Sequence, residues 1–414
     1  GLTALEGVGL VDDIMKIAIP MYGRSVHLPT GETVFQPYSA DGKKCIYSVS
    51  RAELNKQLLT HAASMGATFY FNQTVRRANT RTGDVVIDKE VTASTGTSFV
   101  SQRLKSKTLI ASDGAFSPVR HSLMNAPFFN INQKYYEHGY KELCIPPGPN
   151  NSFQLDSEVL HIWPRGTHMM IALPNTGGSF TCTLFLPMKA PSSHPEMASF
   201  ASLTTPERVL DFFRANFADA MPLMPTLVDD FFSNVTGSLV TIKCYPWSYG
   251  STTLVGDAAH AVVPFFGQGM NAAFEDVRVM NDIVDAHQLE GKLDWPKVFD
   301  EYQQTRKNNT DAIADMAVEN YIEMRDKVAD KVYQIKKKFE GKLGVAFPAQ
   351  FVSRYEMVSF SNIPYTDAVM FGETNDKIVG ELMEDSGFDE SKLDLEKAKV
   401  LLDQHYPKGN KARL

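Results

Sequence analysis

The sequence predicts an α/β protein, α+β in overall balance, on three observations. Two short apolar strands, Thr108–Ala111 and Thr252–Val255, each run into an acid and a glycine, Asp113-Gly114 and Gly256-Asp257, ahead of helical sequence. This is strand–helix–strand logic with an antiparallel insert. From about 129 to 238 the character changes to sheet: Met169–Leu173 and Phe180–Leu186 are apolar and are joined by Asn175-Thr176-Gly177-Gly178, a strong hairpin turn. From Val298 onward the apolar spacing is mainly helical.

Length and composition narrow the possibilities. The chain has 414 residues, enough for two or three lobes, since single cores stop growing at about 250–300 residues. With 43% hydrophobic and 21% charged residues it is neither disordered nor fibrous. A net charge of −7 leaves no basic footprint for phosphates, which excludes nucleic acid as a partner. Cys45, Cys144, Cys182 and Cys244 stand far apart, at neither zinc nor redox spacing, and are expected to be buried reduced thiols. The histidines form no metal-site pattern, and no run of about 18 apolar residues exists to span a membrane.

The opening "GLTALEGVGLVDDI" reads as a helix running into a second short helix, with Leu2, Leu5 and Leu10 on its apolar side. Gly7-Val8-Gly9 imitates a dinucleotide fingerprint, but Asp12 takes the place of the third glycine and no strand precedes it, so a helix-to-helix turn is expected. Pro29-Thr30-Gly31 marks a hairpin. A helix is expected from Ser48 to about Gly66, with Leu54, Leu58, Leu59 and Ala62 on one face, then strands at Thr68–Phe71 and Val85–Ile87. "PERVLDFFRANF" is a helix. Another runs from Gln268 to about Leu289, with Met270, Phe274, Val277, Met280 and Val284 at helical spacing. Further helices are expected from Val298 to about Phe339 and from near Glu381 to Leu402. Lys336 to Lys338 read as a solvated face, with an anionic membrane as the other option.

Residues 253–276, "TLVGDAAHAVVPFFGQGMNAAFED", carry the densest chemistry. A buried strand ends at Gly256, an acid follows, and a loop through Pro264, Gly267, Gln268 and Gly269 opens a long helix. Such a helix end offers unpaired N–H groups and partial positive charge to an anion or an electron-rich ring edge. This stretch, with Met270-Asn271, resembles the flavin signature of the class A aromatic hydroxylases. "LIASDGAFSPVR" (109–120) resembles their Asp-Gly motif, with Ser117 and Arg120 in matching places. The resemblance implies FAD as cofactor and NADPH as co-substrate. It assigns the flavin to Arg51, Asp113, Gly114, Asp257, Pro264, Gly267, Gln268, Gly269, Met270 and Asn271, with Asp257 on the ribitol and His260 structural.

Within that class, "IPMYGR", "YSVSRAELNKQLL", "LHIWPR", "MMIALPN", "FTCTLF", "PFFGQGMN" and "NYIEMR" are similar to the kynurenine 3-monooxygenase family, over most of residues 1 to about 365. Residues 370–414 match no segment of it. The implied fold is an FAD-binding Rossmann-like domain of the aromatic hydroxylase type, missing its first βαβ unit. It would be formed by 1–128, with a substrate-side hairpin at about 20–47, and by a return segment at 239–297. An antiparallel-sheet substrate domain is expected at 129–238 and a C-terminal helical region at 298–414.

The family match places Arg24 and Tyr38 on the substrate carboxylate, with Asn320, Glu323, Met324 and Tyr355 nearby and Phe265 and Phe266 as apolar wall. Read alone, Arg24 is a surface ion-pair residue and Glu323 a partner for a lysine. However, Ile313, Met316, Asn320, Glu323, Met324 and Lys327 share one helical face, and an Asn and a Glu in an apolar stripe need partners if buried.

The implied reaction is hydroxylation of L-kynurenine to 3-hydroxykynurenine through a flavin C4a-hydroperoxide, with NADPH and oxygen consumed. Two alternatives stand beside it: a related hydroxylase of another anionic aromatic, and a truncated non-catalytic remnant that binds only proteins. Eukaryotic family members are anchored at the mitochondrial outer membrane, facing the cytosol. No anchor is visible in this chain, so a membrane partner is expected only if one is missing, and a cytoplasmic location otherwise.

Overall fold

The computed structural model describes residues 1–39, 42–93, 96–289, 293–323 and 331–406; Met324 and Lys327 lie outside them. Helices α1 (Leu2–Gly7) and α2 (Val11–Met15) open the chain. They meet at a corner where Gly9 takes φ 70°, so the fingerprint-like Gly7-Val8-Gly9 is a helix-to-helix turn. Strands β1 (Ala18–Met21), β2 (Gly23–His27), β3 (Thr33–Pro37) and β4 (Ile46–Val49) follow, with β2 and β3 forming the expected hairpin. Because Ser48 and Val49 pair with Ile19 and Ala18, the helix expected from Ser48 begins later, as α3 (Arg51–Ser64).

Thr68–Phe71 is not a strand. Phe69, Tyr70 and Phe71 are exposed, and β propensity makes no strand without a ladder to join. Instead β5 (Gln73–Asn79), β6 (Asp84–Ala93) and β7 (Gly96–Leu104) form an antiparallel sheet much larger than the single strand expected at Val85–Ile87. Its cross-strand pairs are partly ionic, Arg76–Asp88 at 2.6 Å and Arg103–Asp84 at 2.8 Å, so an apolar run was the wrong signal for it.

The chain continues through β8 (Leu109–Ala111), α4 (Pro118–Leu123), β9 (Asn130–Ile145), β10 (Val159–Pro164), β11 (Met169–Pro174) and β12 (Phe180–Pro187). Then come α5 (Pro206–Asn216), α6 (Leu227–Ser233), β13 (Gly237–Tyr245), β14 (Ser248–Tyr249), β15 (Thr252–Leu254), α7 (Asp257–His260) and α8 (Gly269–Leu289). The last part is helical: α9 (Trp295–Ile322), α10 (Lys331–Ala346), α11 (Arg354–Phe360), α12 (Tyr365–Asp385) and α13 (Leu395–His405). The acidic helix expected from Glu381 to Leu402 is thus two helices. Gly387 turns at φ 63°, and Asp394 caps α13 by accepting from the Glu396 and Lys397 N–H groups at 3.0 Å.

Two compact units divide the chain. The first holds Gly1–Ile14, Ala52–Tyr135 and Val240–Val318. In it β8 and β15 run parallel, Leu109 opposite Thr252 and Ala111 opposite Leu254, with β14 antiparallel at the edge. Trp247, Phe299, Tyr302, Leu123 and Leu254 fill its core. Along α8, Met280 is buried whereas Met270 and Val277 are exposed, so the expected apolar stripe is only partly turned inward.

The second unit holds Met15–Arg51, Tyr136–Leu239 and Glu319–Leu414. Its sheet has the order β13-β9-β12-β11-β10-β2-β3, and the β11–β12 hairpin is the one expected around Gly177 and Gly178. Helix α5 buries Phe213, with Phe217 just beyond its end, in the cluster that includes Trp163, Met170 and Leu184. A smaller core gathers Phe339 and Leu343 of α10, Ile378 and Leu382 of α12, and Ala398 and Leu402 of α13. Lys336, Lys337 and Lys338 each meet an acid, Asp376, Glu340 and Glu390, which leaves little charge for a membrane surface. Among the described residues, no helix is long and apolar enough to cross a membrane.

Candidate active site

In the first unit the parallel pair β8–β15 brings two corners side by side. Asp113 follows β8 and accepts from the Val119 N–H at 3.2 Å, which steadies the turn into α4. Ser117 caps that helix by accepting from the Arg120 N–H at 2.8 Å. Arg120, 5% exposed, then donates to Ala258 O at 2.8 Å and to Ala115 O, which ties the Asp-Gly corner to the Gly-Asp corner. Gly256 is required between β15 and α7. It takes φ 61°, and a Cβ there would sit 3.1 Å from Ala273 Cβ.

Asp257 is exposed at the mouth of this strand pair. The loop turns at Gly267, left-handed at φ 67°, whose carbonyl accepts from Asn271 Nδ2 at 3.3 Å. Gln268 is buried, and the first-turn N–H groups of α8 at Gly269, Met270 and Asn271 have no acceptor within the helix. An exposed carboxylate, a turn with little side-chain cover and a helix N-terminus together fit a flavin dinucleotide.

Beneath that loop lies a buried ionic network. Asp276 is fully buried; it accepts from the Gly256 N–H at 3.1 Å, lies 2.5 Å from His260 Nε2 and accepts from Arg306 Nε at 2.8 Å. Arg306 also pairs with Glu275 at 2.7 Å. Burial alone would raise the Asp276 pKa, but His260 and Arg306 outweigh it and hold the carboxyl below its ordinary value. His260 is therefore structural, as expected. Sequence reasoning missed Asp276 and Arg306. The available signal was an acid on the buried line Ala272–Asp276–Met280, and an arginine on the line Phe299–Tyr302–Arg306–Thr310.

The second unit holds a different site. Arg24 on β2 has its guanidinium 5.5 Å from the Tyr38 ring and 4.8 Å from the Tyr355 ring, and the two rings stack at 5.6 Å. Arg24 is thus not a surface ion-pair residue: no carboxylate among the described residues pairs with it. The tyrosine hydroxyls are close enough to affect its titration, yet Arg24 Nε and the Tyr38 hydroxyl, both buried, close no hydrogen bond of acceptable geometry. Burial and the neighbouring Tyr355 push the Tyr38 phenol pKa up, against the pull of Arg24.

Asn320 and Glu323 are half-buried near the end of α9. Glu323 accepts from the Tyr333 hydroxyl at 3.3 Å, so its partner among the described residues is a phenol rather than a lysine. Burial, then Glu323 and Glu340, raise the Tyr333 pKa, while Arg24 opposes the rise. Tyr333 and Phe360, which packs on Tyr38 and Tyr355, were not legible as site residues. Arg24, Tyr38, Asn320, Glu323 and Tyr355 belong to the second unit, as does Arg51; the remaining flavin-motif residues, with Phe265 and Phe266, belong to the first.

The family described as "FAD binding domain" matches residues 2–317. A kynurenine 3-monooxygenase of Dictyostelium discoideum is 47% identical over 98% of this chain and 86% of its own. The chain belongs to the kynurenine 3-monooxygenase family. The Myxococcus xanthus enzyme of that name is 46% identical, covering 93% of this chain and 80% of its own, and the Anopheles gambiae enzyme 39%, covering 92% and 75%.

Solved structures support the fold. 2-Methyl-3-hydroxypyridine-5-carboxylic acid oxygenase superposes with TM-score 0.60 at 19% identity, covering 79% of this chain and 80% of its own. Klebsiella pneumoniae HpxO, complexed with FAD and uric acid, gives 0.58 at 17%, covering 90% and 85%. The kynurenine 3-monooxygenase relatives, rather than these structures, leave both a different anionic aromatic substrate and a non-catalytic remnant unfavoured.

Proposed function

We propose that the chain is an FAD- and NADPH-dependent monooxygenase that converts L-kynurenine to 3-hydroxykynurenine, and that Arg24 with Tyr38 and Tyr355 holds the substrate carboxylate. The observation that carries the substrate assignment is the half-buried Arg24 guanidinium, its Nε closed off from water, with no acid beside it among the described residues. A charge in such a place needs a counter-ion, and a planar carboxylate matches its fork. Glu323 and Asn320, in the same unit as Arg24, would take the substrate's amino group.

Asp257 and Asp113 would hold the FAD, with Gly114, Pro264, Gly267, Gln268 and Arg51 around it and the Gly269–Asn271 N–H groups toward its electron-rich edge. When bound, the flavin supplies the redox and oxygen-transfer chemistry, with NADPH as reductant. The protein's own task is to orient the ring and exclude water. For a eukaryotic, anchored form the proposed location is the cytosolic face of the mitochondrial outer membrane, otherwise the cytoplasm.

The test is kynurenine titration of FAD-loaded full-length enzyme carrying Arg24→Ala. Binding should weaken by about 30-fold or more, while FAD content stays unchanged. Arg24→Lys should restore binding only in part and release more peroxide per NADPH, because an ammonium cannot reproduce the fork. Parent-like binding by Arg24→Ala would overturn the substrate assignment.

A further inference from the structure

Three neighbouring residues of α12 meet the start of α11, the short helix that carries Tyr355. Asn375, 6% exposed, donates from Nδ2 to Val352 O at 2.8 Å. Its Oδ1 accepts from the Tyr406 hydroxyl, just beyond α13, at 2.8 Å. Gly372 lies directly under Arg354, where any Cβ would run into Nε. Asp376 pairs with Arg354 at 3.3 Å through one oxygen and with Lys336 of α10 at 2.6 Å through the other. Lys336 lies about one turn beyond Tyr333.

A seven-residue helix has little stability of its own, so its direction is set by what holds its first turn. Here that turn is over-determined. Ser353 and Glu356 close a capping box, and Lys44 pairs with Glu356 at 3.3 Å. The tie at Asn375 is the most deeply buried of the set. Losing it leaves the Val352 carbonyl without this donor, and a shift of Tyr355 also shifts its stack with Tyr38 and Arg24.

We propose that α12 and the Tyr406 end of α13 form a positioning platform for the substrate pocket. In this platform Asn375 fixes the Tyr355-bearing turn, and Asp376 ties together the helices of Tyr333 and Tyr355. The inference rests on reading Arg24, Tyr38 and Tyr355 as the carboxylate site. It gives residues 370–406, which the sequence motifs left unplaced although a family relative aligns over 98% of the chain, a part in the reaction without touching substrate.

The test uses full-length, FAD-loaded enzyme carrying Asn375→Ala, Tyr406→Phe or Gly372→Ala, with Leu382→Ala as a control that weakens the same bundle through its core. Kynurenine Kd, peroxide released per NADPH and the thermal midpoint are measured for each. Asn375→Ala and Gly372→Ala should weaken kynurenine binding by about threefold to tenfold and raise the peroxide fraction, with FAD content unchanged. Tyr406→Phe, the mildest change, should do the same to a smaller degree. Leu382→Ala should lower the thermal midpoint and leave the peroxide fraction alone. If Asn375→Ala and Tyr406→Phe bind and couple like the parent, or if Leu382→Ala leaks as much as they do, the platform is only a stabilising bundle and the proposal fails. Tyr355→Phe is measured alongside: loss of binding there, with parent-like Asn375→Ala, sinks the platform and spares the pocket. No effect of Tyr355→Phe removes the reading on which the platform depends.

Discussion

Arg306 of the first unit is buried and Arg24 of the second is half-buried with its Nε closed off from water, and their surroundings differ. Arg306 is met by Asp276 at 2.8 Å and Glu275 at 2.7 Å, and Asp276 is itself completed by His260 and the Gly256 N–H. Arg24 is met by two tyrosine rings and no acid among the described residues, with its Nε unpaired. A complete network has no place for a ligand; its value is in holding the loop above it. An incomplete one costs stability until something fills it. The same residue type is thus structural in one unit and ligand-seeking in the other, and only the partners distinguish the two.

The largest effect is expected at the completed network. Asp276→Ala strands His260, leaves Arg306 only Glu275 as a carboxylate partner and frees the Gly256 N–H, so it should lower unfolding stability by about 3–5 kcal/mol in a denaturant titration. A loss below about 1 kcal/mol would mean that the network is not structural. Arg24→Met should do the opposite: stability unchanged or raised, because an unpaired half-buried cation is replaced by a packed apolar chain, while kynurenine affinity falls by about 2–5 kcal/mol. Lower stability in that variant would show that Arg24 has a structural partner after all.

A smaller loss is expected at the exposed end of the flavin motif. Asp257→Ala removes one charged acceptor, worth about 1.5–3 kcal/mol of FAD affinity, without changing the kynurenine site. An unchanged flavin titration would remove Asp257 from the site.

The smallest effect separates the units by pH. Burial holds the His168 pKa down at about 4, from an ordinary 6.5. A depressed histidine stabilises the fold fully above 6.5 and loses that contribution as pH falls toward 4. The Asp276 pKa is also depressed, but from the carboxylate range, so its contribution persists until pH falls below about 4. The parent should therefore lose about 1–2 kcal/mol between pH 6.5 and 4, and His168→Asn should flatten that part of the profile. An identical slope in both proteins would assign the loss elsewhere.

The flavin motif was legible because its chemistry is local: Asp113, Gly114 and Asp257 through Asn271 are short runs whose strand and helix context can be read in line. Arg24 and Tyr38 were reached only through family likeness, since their meaning depends on Tyr355, more than three hundred residues away in the chain. Tyr333 and Asn375 gave no signal, because a phenol or an amide on a helix looks ordinary until its partner is placed. The ribbon β5–β7 was underestimated for a related reason. Its strands carry charges that pair across the sheet, as at Arg76–Asp88, so the apolar pattern marked only Val85–Ile87 where cross-strand ion pairs extend a ladder.

The parallel pairing of β8 with β15 also bears on synthesis. Leu109 emerges from the ribosome long before its partner Thr252 exists, and strands β9 to β13 of the large sheet are made in between. At ordinary elongation rates that delay is roughly ten to thirty seconds. Over that interval the nascent first unit carries a strand with one edge waiting and with Phe69, Tyr70 and Phe71 in water. Long-range parallel closure of this kind is slow and open to aggregation. Yield in a cell should therefore depend more on chaperone supply and growth temperature than the stability of the finished protein would suggest.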